Sequence, residues 1–226
     1  MRKVLLIAAL LLAGATASFA QFHLGGGYLG EYSSYRSKFG NERRHSADWL
    51  NGFYVGGSYN VALGGVEGLG LAPGAYFSFV GGWDYDANVY GWGFVHRTAI
   101  EVPLHITYAH DLGPGAIFGY AGPAFNVGLG YKCRLRYYYG EDEDTIKVLN
   151  LYRKGNKPGF LGTYQRFDCK FALGAGYRWE HLAAEMGWEF GLVNQYSRAV
   201  RNGYKEEGGK GSAHIHSFHF GVAYVF

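Results

Sequence analysis

Proline is scarce in this sequence, at 5 of 226 residues, and cysteine and methionine occur twice each. So little proline leaves long stretches of backbone able to pair in sheets. Two cysteines are too few for a disulfide-dense scaffold or a four-cysteine metal centre. Beyond the first 20 residues no apolar run reaches the roughly 18 residues that a spanning helix needs, which excludes helical anchoring of that part. An excess of either charge is missing too. Of 21 Lys and Arg, Arg2 and Lys3 stand in the first 20 residues, leaving 19 against 18 Asp and Glu. That near-neutral remainder lacks the basic surplus of a nucleic-acid-binding protein.

What is present begins with a leader. Met1-Arg2-Lys3 is basic, the run from Val4 to Leu12 is apolar but too short to span, and Ala17-Ser18-Phe19-Ala20 offers the small-any-small spacing of a signal peptidase site. Residues 1–20 are therefore expected to be a signal peptide, cleaved before Gln21, and residues 21–226 one domain. Glycine, at 37 residues, and aromatics, at 18%, are far above ordinary usage. Both suit a narrow membrane barrel, whose girdles use aromatic rings and whose crowded interior admits glycine.

Eight segments alternate with period two, each long enough for a tilted strand to cross a bilayer: 21–32, 49–63, 71–83, 94–110, 116–131, 166–179, 182–194 and 213–226. In the fourth, Ile100, Val102, Leu104, Ile106 and Tyr108 oppose Glu101, Pro103, His105 and Thr107. In the fifth the faces are mixed. Pro103 and Pro123 fall inside strands and predict bulges or local breaks. The connections alternate long and short, which in a bacterial barrel means long external loops, short periplasmic turns and both termini in the periplasm. The expected fold is an all-β, antiparallel, up-and-down transmembrane β-barrel of eight strands, in the outer membrane of a Gram-negative bacterium.

Alternation alone does not say which face is inside. The polar face here mixes charges with Gly, Ala and Ser, as a crowded lumen requires, so the apolar face is assigned to lipid. That lumen collects Glu31, Glu101, Asp168, Glu185 and Glu189 with Arg97, Arg166, Lys170 and Arg178. The near balance of signs points to a network of buried ion pairs, built chiefly on Glu101, Asp168, Lys170, Arg178, Glu185 and Glu189, rather than to a catalytic carboxylate pair. Cys133 and Cys169 flank the third long loop, and in an oxidising export route they are expected to form a disulfide.

The C-terminal run His219-Phe220-Gly221-Val222-Ala223-Tyr224-Val225-Phe226 resembles the β-signal of outer-membrane proteins, with His219, Gly221, Tyr224 and Phe226 at its marked positions. The runs Ala99-Ile100-Glu101-Val102-Pro103-Leu104-His105-Ile106, Tyr120-Ala121-Gly122-Pro123 and Glu189-Phe190-Gly191-Leu192-Val193-Asn194 resemble the PorT-like outer-membrane β-barrel family. The resemblance implies fold and location. Its motifs are strand patterns, so it implies no reaction.

No catalytic, cofactor or metal residues are assigned. His214 and His216 share a strand face but lack a third ligand. Ser217 follows His216 and so points to the other face, and Ser46 with His45 and Asp48 is loosely spaced for a triad. The loops carry Arg36, Lys38, Arg43 and Arg44, then Arg134, Arg136, Arg153, Lys154 and Lys157, then Arg198, Arg201, Lys205 and Lys210, with one acidic cluster, Glu141-Asp142-Glu143-Asp144. The expected function is a non-enzymatic barrel with a side-chain-filled lumen, acting structurally or through its loops, including Tyr137-Tyr138-Tyr139. Expected partners are outer-membrane lipids including lipopolysaccharide, the barrel assembly machinery, and a protein contacting the external loops. A lipid A-modifying enzyme and a small pore are the alternatives.

Overall fold

The computed structural model describes residues 20–84, 91–138, 144–152 and 164–226. Residues 1–19 of the expected signal peptide, and in the third loop Tyr139, Glu141, Asp142, Glu143, Arg153, Lys154 and Lys157, lie outside them. Strands β1 (Ala20–Phe39), β2 (Glu42–Ala62), β3 (Leu69–Asp84), β4 (Gly91–Asp111), β5 (Gly115–Tyr138), β6 (Asp144–Asn150), β7 (Phe167–Trp179), β8 (Leu182–Gly191) and β9 (Gly209–Val225) follow one another, with helix α1 (Arg198–Glu206) before the last. Eight of them close an antiparallel ring in the order β1, β2, β3, β4, β5, β7, β8, β9, with β9 pairing back onto β1. The ninth, β6, lies outside the ring and pairs with the upper end of β5.

All eight expected segments form ring strands. Several run further than a bilayer requires, and the long extensions, those of β1, β2 and β5, are at one end. Residues 33–48, read as a loop, continue β1 and β2 as a hairpin to the turn Gly40–Asn41, where Gly40 takes φ +54°. That left-handed conformation costs glycine little. At the opposite end the connections are residues 63–68, 112–114 and 180–181. Both described termini of the ring lie at this short-turn end, as an even strand number requires.

The polarity of the ring is inverted relative to a soluble barrel. Phe22, Phe53, Val55, Ile100, Val102, Leu104, Ile106, Phe125, Phe171, Leu173, Met186, Phe220 and Val222 are exposed on the outer face, whereas Glu31, Arg97, Asp168, Lys170 and Glu189 are buried inside. This is the alternation of a membrane barrel, apolar out and polar in. Aromatic pairs brace the short-turn end, with Phe226 5.7 Å from Phe22 and 4.8 Å from Tyr224 across ring centroids.

The prolines break the ladder more gently than expected. Around Pro103 and Pro123 individual pairings drop out while the register stays constant, Pro103 facing Ala124 and Ile106 facing Ala121. The register shift in this pair lies elsewhere, where Thr98 faces Gly130 and Ala99 faces Gly128. One extra residue, Leu129, is accommodated there as a bulge. Below it the even residues of β5 are the buried ones, including Tyr120, Ala124 and Asn126; above it the odd ones are, Tyr131 and Cys133. This parity switch accounts for the mixed pattern of the fifth segment.

The expected disulfide is not formed. Cys133 pairs with Val95 and Leu149 near the top of β5, while Cys169 pairs with Phe125, eight residues further down. At a strand rise of about 3.3 Å per residue the two positions are roughly 26 Å apart, far beyond disulfide reach. Cys169 also sits on the outward row with Phe167 and Phe171, and Cys133 is fully buried inside. Denatured protein should therefore run identically on gels with and without reductant. A mobility change on reduction that Cys169→Ser abolishes would contradict this.

Candidate functional site

The inward rows bring charged and polar side chains from β4, β5, β7, β8 and β9 together at mid-height in the lumen. Lys170, on β7, is 1% exposed and uses all three ammonium donors: Nζ lies 2.8 Å from Glu189 Oε2, 2.6 Å from Ser217 Oγ and 3.5 Å from Glu101 Oε2. Asn126 Nδ2 donates to the same Glu101 oxygen at 3.3 Å. The two-residue turn at 180–181 makes β7 and β8 neighbours, which brings Lys170 and Glu189 onto adjacent inward rows.

One level higher, Arg97 makes a two-pronged pair with Glu31, Nε donating to Oε2 at 2.8 Å and a terminal nitrogen bonding Oε1. Both groups are buried, and the planar fork satisfies the carboxylate from one side. Asp168 faces Asn126 across the β5–β7 ladder, with neither carboxylate oxygen hydrogen-bonded. Of the six expected network residues, then, Glu101, Lys170 and Glu189 meet directly and Asp168 stands beside them. Glu185 instead accepts from the Tyr54 phenol at 3.4 Å. Arg178 lies near the short-turn rim, bonded to Gln21 and 3.8 Å from Asp111. Arg166 is at the opposite rim, donating to the Gly128 and Leu129 carbonyls.

Above the Arg97–Glu31 pair the lumen is closed by tyrosines. Tyr131 contacts Tyr152 and Tyr164 with ring centroids 5.6 and 5.1 Å away, Tyr164 contacts Tyr196 at 5.8 Å, and Tyr196 reaches Tyr35 and Tyr204. Leu151, just past β6, folds into this mouth at 2% exposure, its N–H donating to the Tyr131 carbonyl at 2.8 Å. The fourth loop is tied in by backbone bonds from Gln165 to Gln195 and from Gln195 to Ala213, both 2.7 Å. Burial raises the phenol pKa of Tyr164 and of Tyr196, because it disfavours the charged phenolate. The sequence reading missed this cap, because its tyrosines come from β1, β5 and two loops and only the folded ring collects them.

Below the ion pairs the lumen is open enough for water. A cavity of about 100 Å3 is lined by Tyr54, Tyr76, His105, Tyr120, Glu185 and His219, among others. His219 points into it, with Tyr120 Oη 2.6 Å from its Nε2. Gly221 packs inward against Tyr54, whereas Tyr224 and Phe226 are outward, so the residues expected to form a β-signal divide between lumen and girdle.

The nucleophile candidates separate as alternation demands. Ser217 is buried on Lys170, while His216 turns outward against Tyr32 and Phe190. A lysine ammonium held by two carboxylates donates to the serine and is not available to take its proton. His45 lies 3.2 Å from Ser34 Oγ rather than meeting Ser46. Among the described residues no group of three or more His, Cys, Asp or Glu could hold a metal ion.

No protein-family model and no curated protein sequence matches the chain. Three solved structures similar to it are the attachment invasion locus protein Ail of Yersinia pestis in complex with the heparin analogue sucrose octasulfate, Neisserial surface protein A, and the outer-membrane protease OmpT of Escherichia coli. Ail is 10% identical with a TM-score of 0.35, covering 90% of this chain and 99% of Ail. The Neisserial protein is 9% identical with a TM-score of 0.38, covering 90% and 96%, and OmpT is 12% identical with a TM-score of 0.36, covering 93% and 98%.

Removing Lys170 would leave Glu101 and Glu189 buried without their shared cation. Lys170→Ala should destabilise the barrel by about 3 kcal/mol, read as a lower temperature of heat-modifiable migration. Lys170→Met combined with Glu189→Gln should recover part of the loss, since it removes charges of both signs together.

Proposed function

We propose that this protein is a plugged outer-membrane barrel that serves as a structural or interaction protein through its long-loop end, with no reaction of its own. The carrying observation is the closed lumen: the Arg97–Glu31 pair lies directly beneath the cap of Tyr131, Tyr152 and Tyr164. An eight-stranded ring is just wide enough for side chains to fill, and these fill it. The apolar outer face and aromatic girdles support a place in the bilayer, and the leader read from the sequence supports export to the outer membrane. Short turns at the periplasmic side and long loops outside is the orientation we adopt, with the PorT-like resemblance as its family setting.

Planar-bilayer recording of purified monomer tests the plug. The expected result is no steady conductance; a stable open current would make the protein a small pore instead. Incubation with labelled lipid A tests the remaining alternative, and a change in the label's mobility would make it an enzyme.

The last strand is proposed to engage the assembly machinery. Phe226 closes the seam between β9 and β1, its N–H donating to Phe22 O at 2.9 Å and its ring lying against Phe22. Phe226→Asp would put a charge beside lipid and remove that contact. The yield of heat-modifiable barrel should fall severalfold, and an unchanged yield would count against the signal.

A further inference from the structure

We propose that the outer face of β4 and β5, just above the apolar band at the long-loop end, binds a phosphate of an anionic outer-leaflet glycolipid between Lys132 and Arg134. The proposal rests on the outward orientation of that end and names a partner for it.

Lys132 and Arg134 stand two residues apart on the exposed face of β5, roughly 7 Å along the strand, a span that one phosphate group can bridge. Their direction is set by the bulge. Below Leu129 the even positions of β5 point into the lumen, and without the extra residue these two cations would do so as well. Bulges re-aim side chains in this way. Among the described residues neither cation takes part in an ion pair with a carboxylate.

The surface beside them is aromatic. In register, His96 faces Lys132 and Phe94 faces Arg134. The rings of Phe79 and Phe94 each stack on His96, with centroids 6.1 and 5.9 Å apart. With Val148 of β6 they line a shallow groove of about 440 Å3 that Lys132 and Arg134 border. Directly below, Val127, Leu129 and Ile100 are exposed and continue the lipid-facing band. A ligand that fits must carry negative charge at the height of the headgroups and hydrocarbon beneath it. A phosphorylated glycolipid has both, and a soluble acidic peptide has no use for the band.

The test is a titration of folded barrel in neutral detergent with bisphosphorylated lipid A and with its dephosphorylated form, read by native mass spectrometry. Wild type should bind the phosphorylated form the more tightly. Lys132→Gln with Arg134→Gln should weaken it about tenfold or more while heat-modifiable migration stays normal. The control pair Arg36→Gln with Lys38→Gln, also exposed near the long-loop end, should stay close to wild type. Equal binding of the two lipids, an unaffected double variant, or an equal loss in the control pair would each overturn the site. The orientation is read separately, by antibody access on intact cells to a tag inserted within residues 85–90. Failure there sinks the outward reading, whereas the detergent titration still reports on the groove.

Discussion

Ring closure is the constraint on which everything else depends. Hydrocarbon offers no partner for a backbone N–H or carbonyl, so a sheet can span it only with no free edge. Here closure is made by β9 returning to β1, paired from His23–Val225 to Phe39–Gly209. That seam joins two ring strands far apart in sequence, and no local turn helps it. Side chains hold it at the short-turn end, where Phe22, Tyr224 and Phe226 pack together and His181 stacks on Tyr224 at 5.5 Å. Terminal aromatic residues in the sequence thus answer a mechanical requirement of the ring.

Closure also fixes what the interior must do. Half the side chains of every strand are forced inward, into a space too small for bulk water. Carboxylates placed there are costly unless they find donors: Glu31 meets Arg97 and Glu101 meets Lys170 from strands distant in sequence, Glu189 meets Lys170 across the β7–β8 hairpin, and Asp168 is left without a hydrogen bond. Such pairs add less net stability than their Coulomb attraction suggests, because desolvation offsets it. Their effect falls on register. A strand slipped by one residue would turn its charges to lipid and its apolar row into the lumen, so the pairs make the wrong register far more costly than the right one.

How much of this could be read beforehand followed from local regularity. In β4, β7 and β8 the period of two is unbroken, and the inward placement of Glu101, Asp168, Lys170, Glu185 and Glu189 was legible from it. In β5 one inserted residue defeats any single-period reading, so the facing of Cys133, Lys132 and Arg134 needed the register of the folded sheet. The disulfide expectation failed for a related reason. It treated both cysteines as strand ends, although Cys169 lies between inward Asp168 and Lys170 and was already on the outward row. The β1–β2 extension was missed because its polar residues resemble a loop, while its turn, Gly40–Asn41, is a dipeptide that favours hairpins. The tyrosine cap had no sequence signature at all, being assembled from β1, β5 and two separate loops.

The bulge and the cap are linked by a single packing problem. Above Arg97 the lumen narrows onto loop residues, and Tyr131 and Cys133 are the β5 side chains that fill it. Had the alternation of β5 continued unbroken, Lys132 and Arg134 would occupy that space, adding two cations beside Arg97 with Glu31 already committed to it. Asp168, the buried carboxylate nearby that lacks a hydrogen bond, could answer at most one of them, and the tyrosine contacts would be lost. Inserting Leu129 between glycines, where Gly128 leaves room for the Tyr152 phenol, moves the cations outside and the aromatic ring inside in one step. The residue that dries the mouth of the barrel is therefore the same one that lays a basic pair along the edge of the lipid-facing band.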